Sequence, residues 1–208
     1  SDVIDRLIAK EEHKEANLES NQREILSSVF RSQLPQIKKV EFNVETQALG
    51  ENGAPIMITQ SEYMGRMKEM ANIQAGMSFY GEMPNMYNLV LNADHKLVKQ
   101  VLTDADNSCK AALEPIESEM ANLNNRRKEL QKAQEGKKTE DIPQAEKDEL
   151  NDIEKKISDE TTKKQAVLGE YANGNKIIHQ LIDLALLQNN MLKGEALTNF
   201  VKRSIELI

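Results

Sequence analysis

Residues 37–45, "IKKVEFNVE", alternate apolar and polar side chains in a chain whose other patterns are mostly helical. Val40, Phe42 and Val44 fall on one side of an extended backbone, and the charged and amide residues between them fall on the other. A period of two is the spacing of a β-strand, because successive side chains of a strand point to opposite faces. The segment therefore predicts a half-buried strand and, with the helical patterns around it, an α+β fold that is mostly helical.

Two further strands are predicted nearby. Residues 56–58, "IMI", follow a linker whose Gly50 and Asn52-Gly53 have good turn chemistry. Residues 87–92, "YNLVLN", form the third apolar run. These segments predict a small three-stranded sheet.

Helices are predicted on both sides of these strands. Apolar residues recur at helical spacing in residues 17–34, and Pro35 is expected to end that helix. Thr59 and Glu62 have the spacing of a capping box, which predicts a helix over residues 60–73. Either Asn92 or Asp94 is expected to cap the next helix, "HKLVKQVL". Residues 38–103 therefore predict an α/β unit.

Residues 114–170 differ from this unit because they are highly charged and carry only narrow apolar stripes. "GKKTEDIP" at residues 136–143 makes a turn between two such helices, with Pro143 in the first turn of the second. This arrangement predicts an antiparallel coiled-coil hairpin. Arg127, Thr161 and Lys164 fall on or near its seam, which we expect to weaken the packing.

Residues 173–208 predict two final helices that are too apolar to stand free. They must pack on the α/β unit or on a second copy of themselves. Four such helices from two chains would form a compact bundle.

The composition excludes several classes of function. The chain has 208 residues and a net charge of −7, which argues against a nucleic-acid face built from clustered Lys and Arg. No apolar run approaches the ~20 residues that span a bilayer. Cys109 is the only cysteine, so no intrachain disulfide can form, and a cytoplasmic location is expected. The chain begins at Ser1 without an initiator Met, and we expect it to be a fragment of a longer protein.

No enzyme motif is recognisable. Phosphate-binding and dinucleotide-binding glycine loops are absent from the sequence. His13, His95 and His179 are far apart and lack metal-ligand spacing. Cys109 has no motif around it. We expect no catalytic, cofactor-binding or metal-binding residue in this chain.

Methionine is concentrated in residues 64–86, "MGRMKEMANIQAGMSFYGEMPNM". One interpretation is the inward face of an amphipathic helix, which is the commoner role for such a stripe. The other is an exposed, adaptable surface for binding proteins, because methionine is flexible and polarisable. Few charges and several glycines in and after the helix favour the second, which would extend to Met77 and Phe79.

Three segments resemble the ninety-kilodalton heat-shock chaperones, of the bacterial high-temperature protein G type. Residues 87–101 resemble the family's strand that ends in Asn-Pro-Asp/Glu-His before a helix. Residues 40–70 resemble its strand, turn, strand and Met-containing helix, and residues 181–208 resemble its end. The three occur in the family's order. Ala93 departs from the pattern, since the family usually has Pro there.

The resemblance implies the C-terminal dimerisation domain of an ATP-driven chaperone of the stress response. ATP and magnesium would then bind an N-terminal domain outside this chain, which itself needs no cofactor and is no enzyme. The expected partners are a second copy of the chain and partly unfolded client proteins. The resemblance places a client-binding surface at Tyr63, Met64, Met67, Met70 and Ile73. It places the dimer interface at Leu181, Leu184, Leu187, Leu197, Phe200, Val201 and Ile205.

The hairpin has no counterpart in the common family pattern. We therefore expect a discontinuous chaperone domain, residues 1–113 and 171–208, with residues 114–170 inserted as the hairpin. Two roles for the hairpin stay open: docking a co-chaperone or shaping the client cleft. The alternative for the whole chain is a structural or adaptor protein in which the hairpin binds the partner.

Overall fold

The computed structural model of the protein describes residues 18–60, 62–73, 83–206 and 208. A 3-10 helix, Thr139–Asp141, lies in the loop between the helices Lys96–Gln134 and Gln144–Asn173. The predicted α+β, mostly helical fold with a small three-stranded sheet is confirmed. The elements in chain order are α1 (Ser20–Arg31), β1 (Val40–Gln47), β2 (Ile56–Gln60), α2 (Glu62–Ile73), β3 (Asn85–Asn92), α3 (Lys96–Gln134), α4 (Gln144–Asn173), α5 (Lys176–Gln188) and α6 (Glu195–Glu206).

The three strands form one sheet in the order β1-β3-β2. β1 pairs with β3 in parallel, and β2 pairs with β3 antiparallel. In β1, Val44 is buried while Glu41 and Asn43 are exposed, as the alternating sequence predicts. Thr59 lies inside β2 opposite Asn88, so the predicted capping box is wrong. The pairing of β2 with β3 carries the strand through Gln60, and α2 begins only at Glu62.

The main core lies between one face of the sheet and the helices α1, α3, α4 and α5. The apolar stripe predicted for the first helix is buried, and Leu34 lies beyond the helix end as a half-buried neighbour. Leu89 and Leu91 of the central strand are fully buried against these helices. The largest fully buried side chains come from several elements and include Ile25, Leu26, Phe30, Ile56, Leu168, Ile178, Ile182 and Leu186.

Asn92 holds the corner between the sheet and α3. Its side chain is fully buried, and its Oδ1 accepts hydrogen bonds from the backbone N–H groups of Leu49 and Asp94, both at 3.1 Å. Its Nδ2 donates to the Gly50 carbonyl at 2.8 Å. A buried amide with three partners, at the adjoining C-terminal end of β3, stabilises the turn between β1 and β2.

The cap of α3 is neither of the two residues expected. His95 is the N-cap, since its Nδ1 accepts a hydrogen bond from the Leu97 N–H at 3.1 Å. Asn92 and Asp94 instead bind the β1–β2 linker. Ala93 donates its N–H to the Gln47 carbonyl at 2.9 Å, a bond that a proline at this position cannot make.

The predicted hairpin is present, but its first arm is not a separate helix. α3 runs for 39 residues through Pro115 and pairs with α4. The expected boundary at residues 113 and 114 falls inside α3, and Leu168 and Ala172 of α4 belong to the main core. A second small core of Leu123, Leu130 and Ile153 holds the outer part of the two arms together. The part of the hairpin beyond the main core is therefore shorter than residues 114–170.

Lys164 lies at the base of the hairpin, where α1, α3 and α4 meet. Only 5% of this lysine is exposed. Its ammonium group lies 3.1 Å from a carboxylate oxygen of Glu24 in α1 and 3.4 Å from one of Glu117 in α3. The Glu117 oxygen has no aligned hydrogen bond, so this contact is ionic. A seam position expected to weaken the hairpin thus joins three helices.

The chain turns sharply between α4 and α5. Gly174 ends α4, and Asn175 caps α5 by accepting a hydrogen bond from the Ile178 N–H at 3.0 Å. The Asn175 amide also donates to the Tyr171 hydroxyl at 3.0 Å. This turn directs α5 back along the main core, and α6 comes after α5 in the chain.

We expect Asn92→Ala to lower the free energy of unfolding by roughly 1–3 kcal/mol, because two part-buried N–H groups lose their acceptor. Urea unfolding measures this change. Asn43→Ala is the matched control, since Asn43 is an exposed strand residue, and we expect it to change stability by less than ~0.5 kcal/mol. Equal losses in the two variants would contradict the role of the Asn92 corner.

Lys164→Met keeps most of the side-chain volume and removes the charge between Glu24 and Glu117. We expect a loss of about 1–3 kcal/mol, below the range for fully buried pairs because both carboxylates are partly exposed. Lys163→Met is the control, since Lys163 is exposed and its pair with Glu160 should contribute little. A Lys164→Met chain as stable as the control in urea would show that the three-helix contact is dispensable.

Candidate functional site

The described residues contain no recognisable chemical centre. No group of three or more His, Cys, Asp or Glu side chains among them is placed to hold a metal ion. Cys109 is buried, and burial together with the nearby Asp106 raises the pKa of its thiol, which makes it a poor nucleophile. Within the same residues, no helix combines the length and apolarity that a membrane crossing requires.

Among the residues that the structure describes, the exposed large apolar side chains lie in two regions. On α2 they are Tyr63, Met70 and Ile73, with exposures of 66%, 47% and 83%. The second region comprises the end of α5, α6 and the chain terminus, and its exposed residues are Leu187, Leu197, Val201, Ile205 and Ile208. Contiguous exposed apolar side chains on a soluble protein typically mark interaction sites.

The α2 surface contains most of the expected client-binding residues. Tyr63, Met70 and Ile73 are exposed, and Met64 and Met67 are half-buried. α2 shows no extensive packing on another element among the described residues. Met77 and Phe79 lie outside the described residues. The interpretation of this helix as a purely inward stripe is therefore wrong for at least three of its side chains.

The α6 stripe, defined here as Leu197, Val201 and Ile205, lies on one side of α6. These residues are four apart, so they follow one face of the helix. Their exposures are 36%, 49% and 69%. No residue of α6 is buried. The helix therefore turns its apolar stripe away from its own chain.

The opposite side of α6 docks on α5 through mostly polar contacts. Gln180 donates to the Ser204 hydroxyl at 2.6 Å, and Lys176 pairs with Glu206 at 2.8 Å. Asp183 pairs with Arg203. Phe200 supplies the apolar contact, since it packs half-buried against the main core.

The environment of Asp183 is partly desolvated. Burial raises the pKa of its carboxyl group above the usual range. The Arg203 guanidinium and the His179 ring oppose this rise by favouring the charged carboxylate. The ionised pair thus persists in a site where an unpaired carboxylate would be disfavoured.

The expected dimer-interface residues divide into three groups. Leu187 and the α6 stripe are exposed, whereas Leu184 and Phe200 are half-buried. Leu181 is buried in the chain's own core, together with Ile178 and Ile182. Apolar periodicity alone did not separate these groups, because α5 is apolar on more than one face.

Sequence reasoning did not find the polar side of α6. Asp183 and Arg203 are 20 residues apart in the sequence, so no short-range spacing links them. Gln180 and Ser204 are likewise ordinary surface residues by their type. Only the reversal of the chain between α5 and α6 brings these side chains together.

Comparisons with known proteins point to one group. The chain is 66% identical over all 208 of its residues to the chaperone protein HtpG of Bacteroides fragilis and 64% identical to that of Bacteroides thetaiotaomicron. It is 43% identical over 210 aligned residues to the chaperone protein HtpG of Porphyromonas gingivalis. The chain spans about 30% of the length of these curated relatives. No family model and no solved structure matched the chain.

Each of these alignments covers the whole chain, so the hairpin of α3 and α4 is included in them. Identity of this extent over a complete chain reflects common descent. From its first residue to its last, the chain is thus related to a segment of the HtpG chaperones, which confirms the resemblance found in its sequence.

Proposed function

We propose that this chain is a dimerisation and client-binding module of an ATP-dependent chaperone. The observation that carries the proposal is the distribution of exposed large apolar side chains. Among the described residues they lie on α2, at the end of α5, on α6 and at the terminus, and none lies on the hairpin. The names of the relatives support a chaperone role for the longer protein.

The dimer interface is the α6 stripe with the adjoining end of α5. Leu197, Val201 and Ile205 extend over two turns of helix, and Leu187 is exposed at the end of the neighbouring helix. Two such helix pairs from two chains form a four-helix bundle that removes these side chains from water. A stable dimer requires about 1,200 Å² of total buried surface, which a pair of helices from each chain can supply.

The client surface is the exposed side of α2. Its Tyr63, Met70 and Ile73 present aromatic, thioether and aliphatic groups to solvent. Such a surface suits weak contacts with the apolar segments of partly unfolded chains, since methionine adapts its shape to different partners. Recognition of this kind selects exposed apolarity rather than one sequence.

ATP and magnesium belong, in this proposal, to another part of the longer protein. The module would then hold two copies of the longer protein together while the distant ATP-binding domains open and close. We expect this cycle to take place in the cytoplasm. Two roles for the hairpin stay open in this proposal: docking a co-chaperone or shaping the client cleft.

The adaptor alternative has less support. An adaptor hairpin would present its partner-binding residues outward, but Leu123, Leu130 and Ile153 are buried between the two arms. Its outer surface is charged and carries ion pairs such as the one between Arg126 and Glu149. Such a surface suits solubility more than the stable capture of an apolar partner.

Val201→Glu places a charge in the centre of the α6 stripe. We expect it to raise the dimer dissociation constant by at least about tenfold, because a charge at an apolar seam must be desolvated without a partner. Sedimentation equilibrium over a wide concentration range measures the constant. Asn199→Glu adds the same charge at an exposed position of α6 outside the stripe and should leave the dimer intact. A wild-type chain that stays monomeric throughout would refute the dimer.

The double variant Tyr63→Ser/Ile73→Ser removes two exposed apolar side chains from α2. We expect about tenfold weaker binding to a permanently unfolded, fluorescently labelled protein, since each buried apolar group contributes about 1.5–3 kcal/mol at most. Fluorescence anisotropy measures the binding. Glu69→Ser on the same helix is the control, and sedimentation should show both variants as dimers. Unchanged binding by the double variant would remove α2 from the client site.

A further inference from the structure

The contact between α5 and α6 is unusual for an amphipathic helix. Such a helix ordinarily buries its apolar side against its own domain. Here three polar contacts and the half-buried Phe200 hold α6, and the α6 stripe faces away. The orientation of α6 about its own axis is therefore set mainly by polar side chains.

A competing orientation is available to the same helix. α5 ends with the exposed Leu187, and Leu184 one turn earlier is half-buried. Rolling α6 about its axis would bring the α6 stripe toward these leucines and bury apolar surface within one chain. The hydrophobic effect favours that arrangement, because it does not distinguish burial within a chain from burial between chains.

The polar side of α6 opposes this rotation. The side chains of Asp183 and Arg203 are only 18% and 23% exposed, so separating them would leave two partly desolvated charges without partners. Lys176 and Glu206 form the other ion pair between the helices, but both are more than half exposed and screened by water. The Asp183–Arg203 pair therefore contributes more than the Lys176–Glu206 pair to fixing the orientation of α6.

The polar contact is also incompletely satisfied. Gln180 Oε1 and Arg203 Nε are buried at the α5–α6 contact without a hydrogen-bond partner. Each orphaned polar atom costs stability, so an apolar contact at this position would be the more stable packing. Polar contacts that lower stability but select one geometry are typical of interactions that determine specificity.

We propose that Asp183 and Arg203 are positioning residues that keep the α6 stripe facing outward and thereby select dimerisation over self-burial. The inference rests on the proposed dimer. It adds that dimerisation depends on a charge pair outside the interface. His179 and Lys176 on α5 and Glu206 on α6 are the other charged or titratable groups near this pair.

The test removes both charges at similar side-chain volume. Asp183→Asn/Arg203→Met leaves no unpaired charge and frees α6 to turn. We expect sedimentation equilibrium to show at least about a tenfold rise in the dimer dissociation constant, with helix content unchanged by circular dichroism. Lys176→Met/Glu206→Gln is the matched control, since it also removes one positive and one negative charge between the same helices. We expect this exposed pair to change the constant by less than about threefold.

A second measurement follows the orientation of α6 without relying on the dimer. Ile205→Cys places a thiol at an exposed position of the α6 stripe, and the buried Cys109 contributes only a slow background. In dilute protein we expect the Asp183→Asn/Arg203→Met change to slow thiol labelling at position 205 several-fold, because the stripe turns inward.

The two measurements separate the possible failures. A monomeric wild type refutes the proposed dimer, and labelling at position 205 still tests the positioning role. Unchanged or faster labelling in the neutralised chain, at a dilution where sedimentation shows both chains as monomers, overturns the inference. An unchanged dissociation constant in the neutralised chain, with a dimeric wild type, overturns it as well.

Discussion

Helix α3 belongs to two packing units at once, and this shared helix is the constraint on which the other elements depend. Val98, Val101 and Ala105 pack in the main core near its start, and Leu123 and Leu130 pack against α4 near its end. The rotation of the helix is therefore fixed twice along its length. Because α4 must follow the same apolar side of α3, its own last turns arrive in the main core, where Leu168 is fully buried. The position of α5 then follows from the tight corner at Gly174 and Asn175.

Much of this fold could be predicted from local pattern. The alternation of Val40, Phe42 and Val44 identified the strand, and apolar spacing identified the arms of the hairpin. The continuity of α3 could not be predicted in the same way, because Pro115 and a change in composition resemble a boundary. Pro115 is exposed and within the helix, and the packing on both sides holds the helix across it. The cap at His95 was missed because Asn92 is the stronger capping residue by type, yet its side chain is used by the β1–β2 linker.

The candidate surfaces were predictable only in part. Composition pointed to α2 as an unusual helix, and the exposure of Tyr63 and Ile73 agrees with a surface role. For α5 and α6, apolar periodicity predicted the two helices but not the direction in which each side chain faces. That direction depends on contacts such as Asp183 with Arg203, which join residues far apart in sequence. Long-range polar contacts of this kind leave no periodic signal in the sequence. Leu181, which the family resemblance placed at the dimer interface, lies in the chain's own core.

The unbroken course of α3 also has a mechanical meaning. From Leu113 to its end at Gln134 the helix extends about 30 Å beyond its last main-core contact. No interruption of the helix separates this part from the part that packs in the main core. A force applied at the tip of the hairpin would act on a stiff lever, and the resulting torque would fall on the main core and on α1 through Lys164. Whatever binds the tip would therefore turn the body of the protein as well as bend the arm.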